Sequence, residues 1–150
     1  MVDVLADERM YEFTGGTPPS LDELRARSRR LVVGRSVDGR ELWFNWIVRM
    51  AGQEVPIGVL QATVAADGSS ADVAWEIGVQ WQGRGIASEA AAAVVGWLVH
   101  HDVTVIRALV HPDHGASATV AARAGLERTD DVVDGETVWA RPPLSVSSVR

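Results

Sequence analysis

The run Gln82-Gly83-Arg84-Gly85-Ile86-Ala87 has residue types suited to holding an anion. Strand-like sequence leads into it and an alanine-rich, helix-forming stretch leads out. Two glycines permit a sharp turn and leave backbone N–H groups unobstructed. The following helix adds unpaired N–H groups and the positive end of its dipole. The pyrophosphate of a cofactor matches such a receptor; a purely structural turn is the competing reading. Just upstream, Glu76 alternates onto the face opposite Val73, Trp75, Ile77 and Val79, between the small residues Ala74 and Gly78. That leaves room for a substrate or a relay water beside a partly buried carboxylate, the setting of a general base. A glutamate that orients a loop, or pairs with Arg49 or Arg107, is the alternative. His100-His101-Asp102 looks like a ligand set in writing, but adjacent helical residues point apart, so a helix C-terminal cap is the better reading and no metal site is expected. His111, before Pro112, reads as a turn residue, with a proton carrier lining a cleft as the rival.

The elements that position these residues follow from periodicity and punctuation. Residues 2–12 read as a short helix, broken by Gly15-Gly16-Thr17-Pro18-Pro19. Ser20 and Glu23 form a capping-box pattern, so a second helix is expected over 21–31. Residues 42–50, 55–65 and 71–80 read as consecutive antiparallel strands. In the first of them Leu42, Phe44, Trp46, Val48 and Met50 share one face, and Trp43, Asn45, Ile47 and Arg49 the other. A helix over 86–101, a strand over 103–110 and a small-residue helix over 116–124 come next, the last stopped by Gly125. Asp134-Gly135 then joins a hairpin of 126–133 and 137–141. The fold class is α/β, a mixed sheet of central antiparallel strands followed by a right-handed β-α-β crossover. The glycine turn sits at a strand C-terminus, where such sheets bind ligands.

With 150 residues, 47% hydrophobic and 23% charged, the chain is expected to form one domain over 1–143 and a loose tail over 144–150. The net charge of −6 argues against nucleic acid as a partner. Arg25, Arg27, Arg29 and Arg30 are the one basic cluster, read as a solvated helix face rather than a phosphate site. The chain has no cysteine, which excludes disulfides and thiol catalysis. Residues 1–11 do not read as a signal peptide, and the apolar run 90–99 is too short to span a membrane, so a cytoplasmic protein with no membrane partner is expected.

The element order and the glycine turn resemble the GNAT superfamily of N-acetyltransferases. Its Gln/Arg-x-x-Gly-x-Gly/Ala signature matches Gln82 to Ala87 position for position, and the resemblance spans nearly the whole chain. Trp75-Glu76-Ile77-Gly78, Ala87-Ser88-Glu89-Ala90 and Asp113-His114-x-Ala116-Ser117 are similar to the branch that acetylates N-termini of ribosomal proteins. The resemblance implies acetyl-CoA as cofactor. Its pyrophosphate is expected on Gln82, Gly83, Arg84, Gly85, Ile86 and Ala87, capped by Ser88, and its pantetheine arm along the backbone of Ile77, Gly78 and Val79. Arg84 is read as near the phosphates or, equally, as facing solvent. Ser117 matches a cofactor contact, His114 stands where the family has asparagine, and Arg123 is placed to meet the adenosine 3′-phosphate. Glu76 is the expected base. The tyrosine that many members use as acid falls at Ala121, which leaves the general acid unassigned.

The acceptor pocket is expected between the helix–helix loop and the open sheet face, with Tyr11, Phe13, Trp43, Asn45 and Arg49 as candidates. Most of the six tryptophans are read as packing. The resemblance also implies a first strand before the first helix, which is missing from this chain. Either the gene starts further upstream, or the strand starting at Leu42 has an uncovered edge, in which case a homodimer is expected. The function implied is transfer of acetyl from acetyl-CoA to a primary amine, of a small molecule or a protein N-terminus. A non-catalytic acyl-CoA-binding or interaction domain is the alternative. A nucleotide-phosphate binder lacks the Gly-Lys-Ser/Thr it would need.

Overall fold

The computed structural model describes residues 2–143; the tail expected over 144–150 lies outside them. Helices α1 (Val2–Leu5), α2 (Leu21–Val32), α3 (Ile86–His100) and α4 (Gly115–Arg123) accompany six strands. These are β1 (Glu41–Arg49), β2 (Pro56–Ala65), β3 (Ser70–Ile77), β4 (Val105–Val110), β5 (Glu127–Val133) and β6 (Glu136–Ala140). They form one sheet in the order β1-β2-β3-β4-β6-β5. β1, β2 and β3 pair antiparallel, β3 and β4 pair parallel across the α3 crossover, and the β5–β6 hairpin joins β4 antiparallel. The mixed α/β sheet expected from the sequence is the one observed, and among the described residues no strand precedes β1.

Local chemistry sets the boundaries. Ser20 caps α2 by accepting from the Glu23 N–H, while the Glu23 carboxylate accepts from the Ser20 N–H at 2.7 Å. The helix expected over 2–12 is instead α1 followed by a 3-10 turn at Glu8–Tyr11. The Asp7 carboxylate accepts from the Arg9 N–H and starts the second turn afresh. The third strand stops at Ile77 rather than continuing to Gln80, because Val79–Trp81 winds into a 3-10 turn. The fourth starts at Val105 rather than Val103, since the Val103 N–H is still bonded to Leu98 of the helix end.

One sheet face carries the core. Leu60, Ala62, Val73, Ile106 and Ala108 meet Ala91, Val95 and Leu98 of α3 and Val120 and Ala121 of α4. Leu98 and Ile106 are fully buried, each a contribution of about 1.5–3 kcal/mol. Trp97 extends this layer over β1, its ring 5.0 Å from Phe44 and 5.4 Å from Trp46. Gln61, Thr63, Asp72, Ala74, Glu76 and Arg107 alternate onto the opposite face. There α1 lies against β2 and α2 against β1, covering one end and leaving the rest open.

Candidate active site

The parallel ladder between β3 and β4 is three rungs long and ends at Asp72–Arg107. At that rung the Arg107 guanidinium donates two bonds to the Asp72 carboxylate, at 2.9 and 3.0 Å. Beyond it β3 stays with β2 while β4 turns to β6, and a gap opens. Gly78 N–H donates to the Ile57 carbonyl, so the antiparallel alternation aims the backbone groups of Trp75 and Ile77 into that gap. The Ile77 carbonyl accepts from the Gln82 side-chain amide at 2.9 Å, which ties the glycine turn to the end of β3.

A cavity of about 900 Å³ follows the gap from this turn to the N-terminal segment. At the turn, Gly83 and Gly85 have φ of 73° and 78°, in the left-handed region that favours glycine. Gly85 is the N-cap of α3 and offers no side chain to it. The N–H groups of Ile86, Ala87 and Ser88 therefore lack intrahelical acceptors, and all three residues line the cavity with Gln82, Gly83 and Gly85. Uncommitted donors at the positive end of a 15-residue helix could hold a pyrophosphate. Arg84 is not among the residues lining this wall: its guanidinium lies 5.2 Å from the centre of the Trp81 ring, a cation–π contact. Gly78 is also off the wall. A Cβ there would come within 2.9 Å of Val4, so glycine serves the close approach of α1.

Across the gap, α4 supplies Ser117 and Arg123 to the cavity, with His114 at its N-cap. The Ser117 hydroxyl accepts from the Trp75 indole N–H at 3.3 Å, bridging the two banks. The His114 Nδ1 accepts from the Ser117 N–H, and its ring stacks on Phe13 at 4.4 Å. Burial, and secondarily the neighbouring His111, hold the His114 imidazole below its ordinary value, with Glu12 opposing. His111 also lines the cavity, and its Nδ1 accepts from the Asp113 N–H within the turn. Ala121 is wholly buried in the core, out of reach of the cleft.

Glu76 faces the cavity from the open side of the sheet, beside Tyr11. The basic partner is neither Arg49 nor Arg107 but Arg27, whose guanidinium comes within 4.0 Å. Arg107 is already committed to Asp72, and α2 carries Arg27 over the sheet. One arginine of the cluster expected to face solvent thus approaches Glu76, while its side chain stays partly exposed. The Tyr11 hydroxyl donates to the Leu5 carbonyl at 3.0 Å. Burial, and then the Glu76 charge, raise its pKa against the lowering effect of Arg27. Phe13 lines the cavity as expected from its loop position, but Trp43, Asn45 and Arg49 do not. Trp43 and Asn45 lie opposite Thr63 and Gln61, one strand beyond the residues that form the wall. The cleft opens over β3, two strands in from the β1 edge, which is too far for them to line it.

The family model of the acetyltransferase (GNAT) domain matches residues 1–127. No curated protein matches the chain by sequence. Among solved structures, the chain is similar to aminoglycoside acetyltransferase AAC(6')-Ib in complex with coenzyme A and kanamycin. That likeness has a TM-score of 0.75 at 19% identity, covering 95% of this chain and 87% of that one. Spermidine N-acetyltransferase from Vibrio cholerae, in complex with CoA and spermine, matches with a TM-score of 0.70 at 16% identity, over 93% and 84%. A Vibrio cholerae protein assigned as a ribosomal-protein-serine acetyltransferase matches at 0.65 and 17%, over 83% and 76%. These likenesses extend over most of the chain and bear on its fold, the mixed sheet described above. The chain belongs to the GNAT family and is an acetyl-CoA-dependent N-acetyltransferase.

Proposed function

We propose that the acceptor is a small cationic amine, bound in the cavity that Tyr11, Phe13, Glu12, Glu76 and Glu136 help to line. The observation that carries this reading is the set of carboxylates in the lining, Glu12, Glu76 and Glu136, which favours a polycation over a neutral amine. The aminoglycoside and spermine held by the structural neighbours are amines of that kind. A peptide N-terminus is the second reading, since one neighbour is assigned to ribosomal-protein serine. Acetyl-CoA supplies an activated thioester. In our reading Gln82, Gly83 and Gly85 to Ser88 hold its pyrophosphate, Trp75 and Ile77 its pantetheine arm, and Arg123 its adenosine end. Glu76 takes the ammonium proton directly or through one water, and Arg27 keeps its carboxylate turned into the cleft. Three further proposals go with this reading. Residues 1–143 act as one domain, the protein works in the cytoplasm, and two copies pair along β1. The last is supported by β1 being a sheet edge with Ile47 exposed.

Thiol release from acetyl-CoA against a panel of polyamines, aminoglycosides and peptides tests the acceptor. Turnover with the first two classes is the expected result; turnover confined to peptides sinks it. Light scattering tests the pairing, and a monomer at high concentration removes it.

A further inference from the structure

Whatever the acceptor, the reaction leaves an electron pair on sulfur, and a fixed hydrogen-bond donor on the bank opposite the base would stabilise it. His114 has the geometry for this. It precedes the first turn of α4, three residues from Ser117, whose hydroxyl contacts Trp75 across the gap. Its Nδ1 accepts from the Ser117 N–H, so that nitrogen carries no proton and the neutral ring bears its proton on Nε2. Nε2 has no partner among the described residues. No buried side-chain nitrogen or oxygen there lacks a partner, so Nε2 is open, and the ring lines the cavity. Phe13 stacks on the imidazole and fixes its plane. We infer that His114, as a neutral imidazole, donates its Nε2–H to the sulfur as the C–N bond forms and the C–S bond breaks. The electron pair goes to sulfur, and solvent supplies the proton that finally neutralises it. A neutral histidine held as a donor is an established catalytic device. The low proton affinity set by burial and His111 keeps the ring in that form at pH 7.

The inference rests on the acetyl-CoA site placed along this gap, and its test separates the two. Imidazole nitrogen NMR of the whole protein reads the tautomer, and ultraviolet titration of bound CoA reads its thiolate. The expected results are a protonated Nε2, and CoA that ionises at lower pH when bound than when free. His114→Ser keeps an N-cap acceptor, so folding is retained, and its short side chain does not extend to where Nε2 lies. In this variant the ionisation of bound CoA returns to that of free CoA, and kcat falls about 10²-fold with KM for acetyl-CoA unchanged. A proton on Nδ1, or bound CoA that ionises alike in both proteins, overturns the inference while leaving the site intact. Wild-type protein that binds no CoA removes the site and the inference together.

Discussion

Gln82, Gly83 and residues 85–88 line the cleft around backbone N–H groups, whereas Tyr11 and Glu76, the latter paired with Arg27 of a helix, bring side chains from a 3-10 turn and a strand. The first region is contiguous, and its shape follows from two left-handed glycines and the start of one helix. The second exists only once α2 has docked on the sheet and carried Arg27 to within 4.0 Å of Glu76. A backbone site tolerates loss of any side chain but no change of φ. A side-chain site has the opposite sensitivity, and this contrast can be broken by substitution.

The largest effect is expected at Glu76. Glu76→Gln removes the charge with little change of volume, and loss of a general base costs about 10²–10⁴ in rate. Stabilisation by acetyl-CoA should survive, because the donors at 83–88 are untouched. Thermal unfolding with and without acetyl-CoA, beside steady-state kinetics, checks both halves. A variant that turns over like wild type makes Glu76 a structural residue.

Gly85→Val is the reciprocal substitution, with a smaller expected effect. A Cβ at Gly85 meets nothing within 4 Å, so any cost comes from its φ of +78°. A left-handed position costs a β-branched residue at least about 1–2 kcal/mol, a fall of several degrees in Tm for a chain of this size. The turn would also re-aim its N–H groups. Wild type at about 100 times its dissociation constant gains roughly 2.7 kcal/mol from acetyl-CoA. The variant should lose about half of that gain, with KM for acetyl-CoA raised about tenfold. An unchanged gain would mean that the turn is not the phosphate receptor.

The same contrast explains what the sequence disclosed. The glycine turn and the capping box at Ser20 are local, so spacing alone locates them. Strand alternation likewise placed Phe44, Trp46 and Glu76 on their observed faces. Arg27 was hidden because a helical arginine on a charged face looks the same whether it meets solvent or a carboxylate 49 residues away. Trp43, Asn45 and Arg49 were misplaced for a related reason. Alternation fixes which side of a sheet a residue occupies, but where a cleft opens depends on strand order and on where the parallel ladder ends. His114 lay between these cases. Its position beside Ser117 was legible, but its stack on Phe13 needed the N-terminal segment in place.

That stack supports the smallest prediction, which joins the two regions. The pKa of His114 is lowered in the folded protein, mainly by burial and then by His111, with Glu12 acting the other way. Above its unfolded value of about 6.5 the ring is neutral in both states and its contribution to stability is complete. Below that, the unfolded chain takes up a proton that the folded chain declines, so stability falls with pH until the folded value is passed. The lowered carboxylates Asp7, Glu23, Asp38 and Asp67 act only at more acid pH than the window from pH 7.5 to 5. Wild-type Tm should therefore fall further across that window than that of His114→Asn, by on the order of one degree because the ring is only partly buried. Equal slopes would mean that protonation of His114 disturbs neither the Phe13 stack nor the cap on α4. The ring would then be free to turn, and the N-terminal segment would be held to the cofactor bank by other contacts.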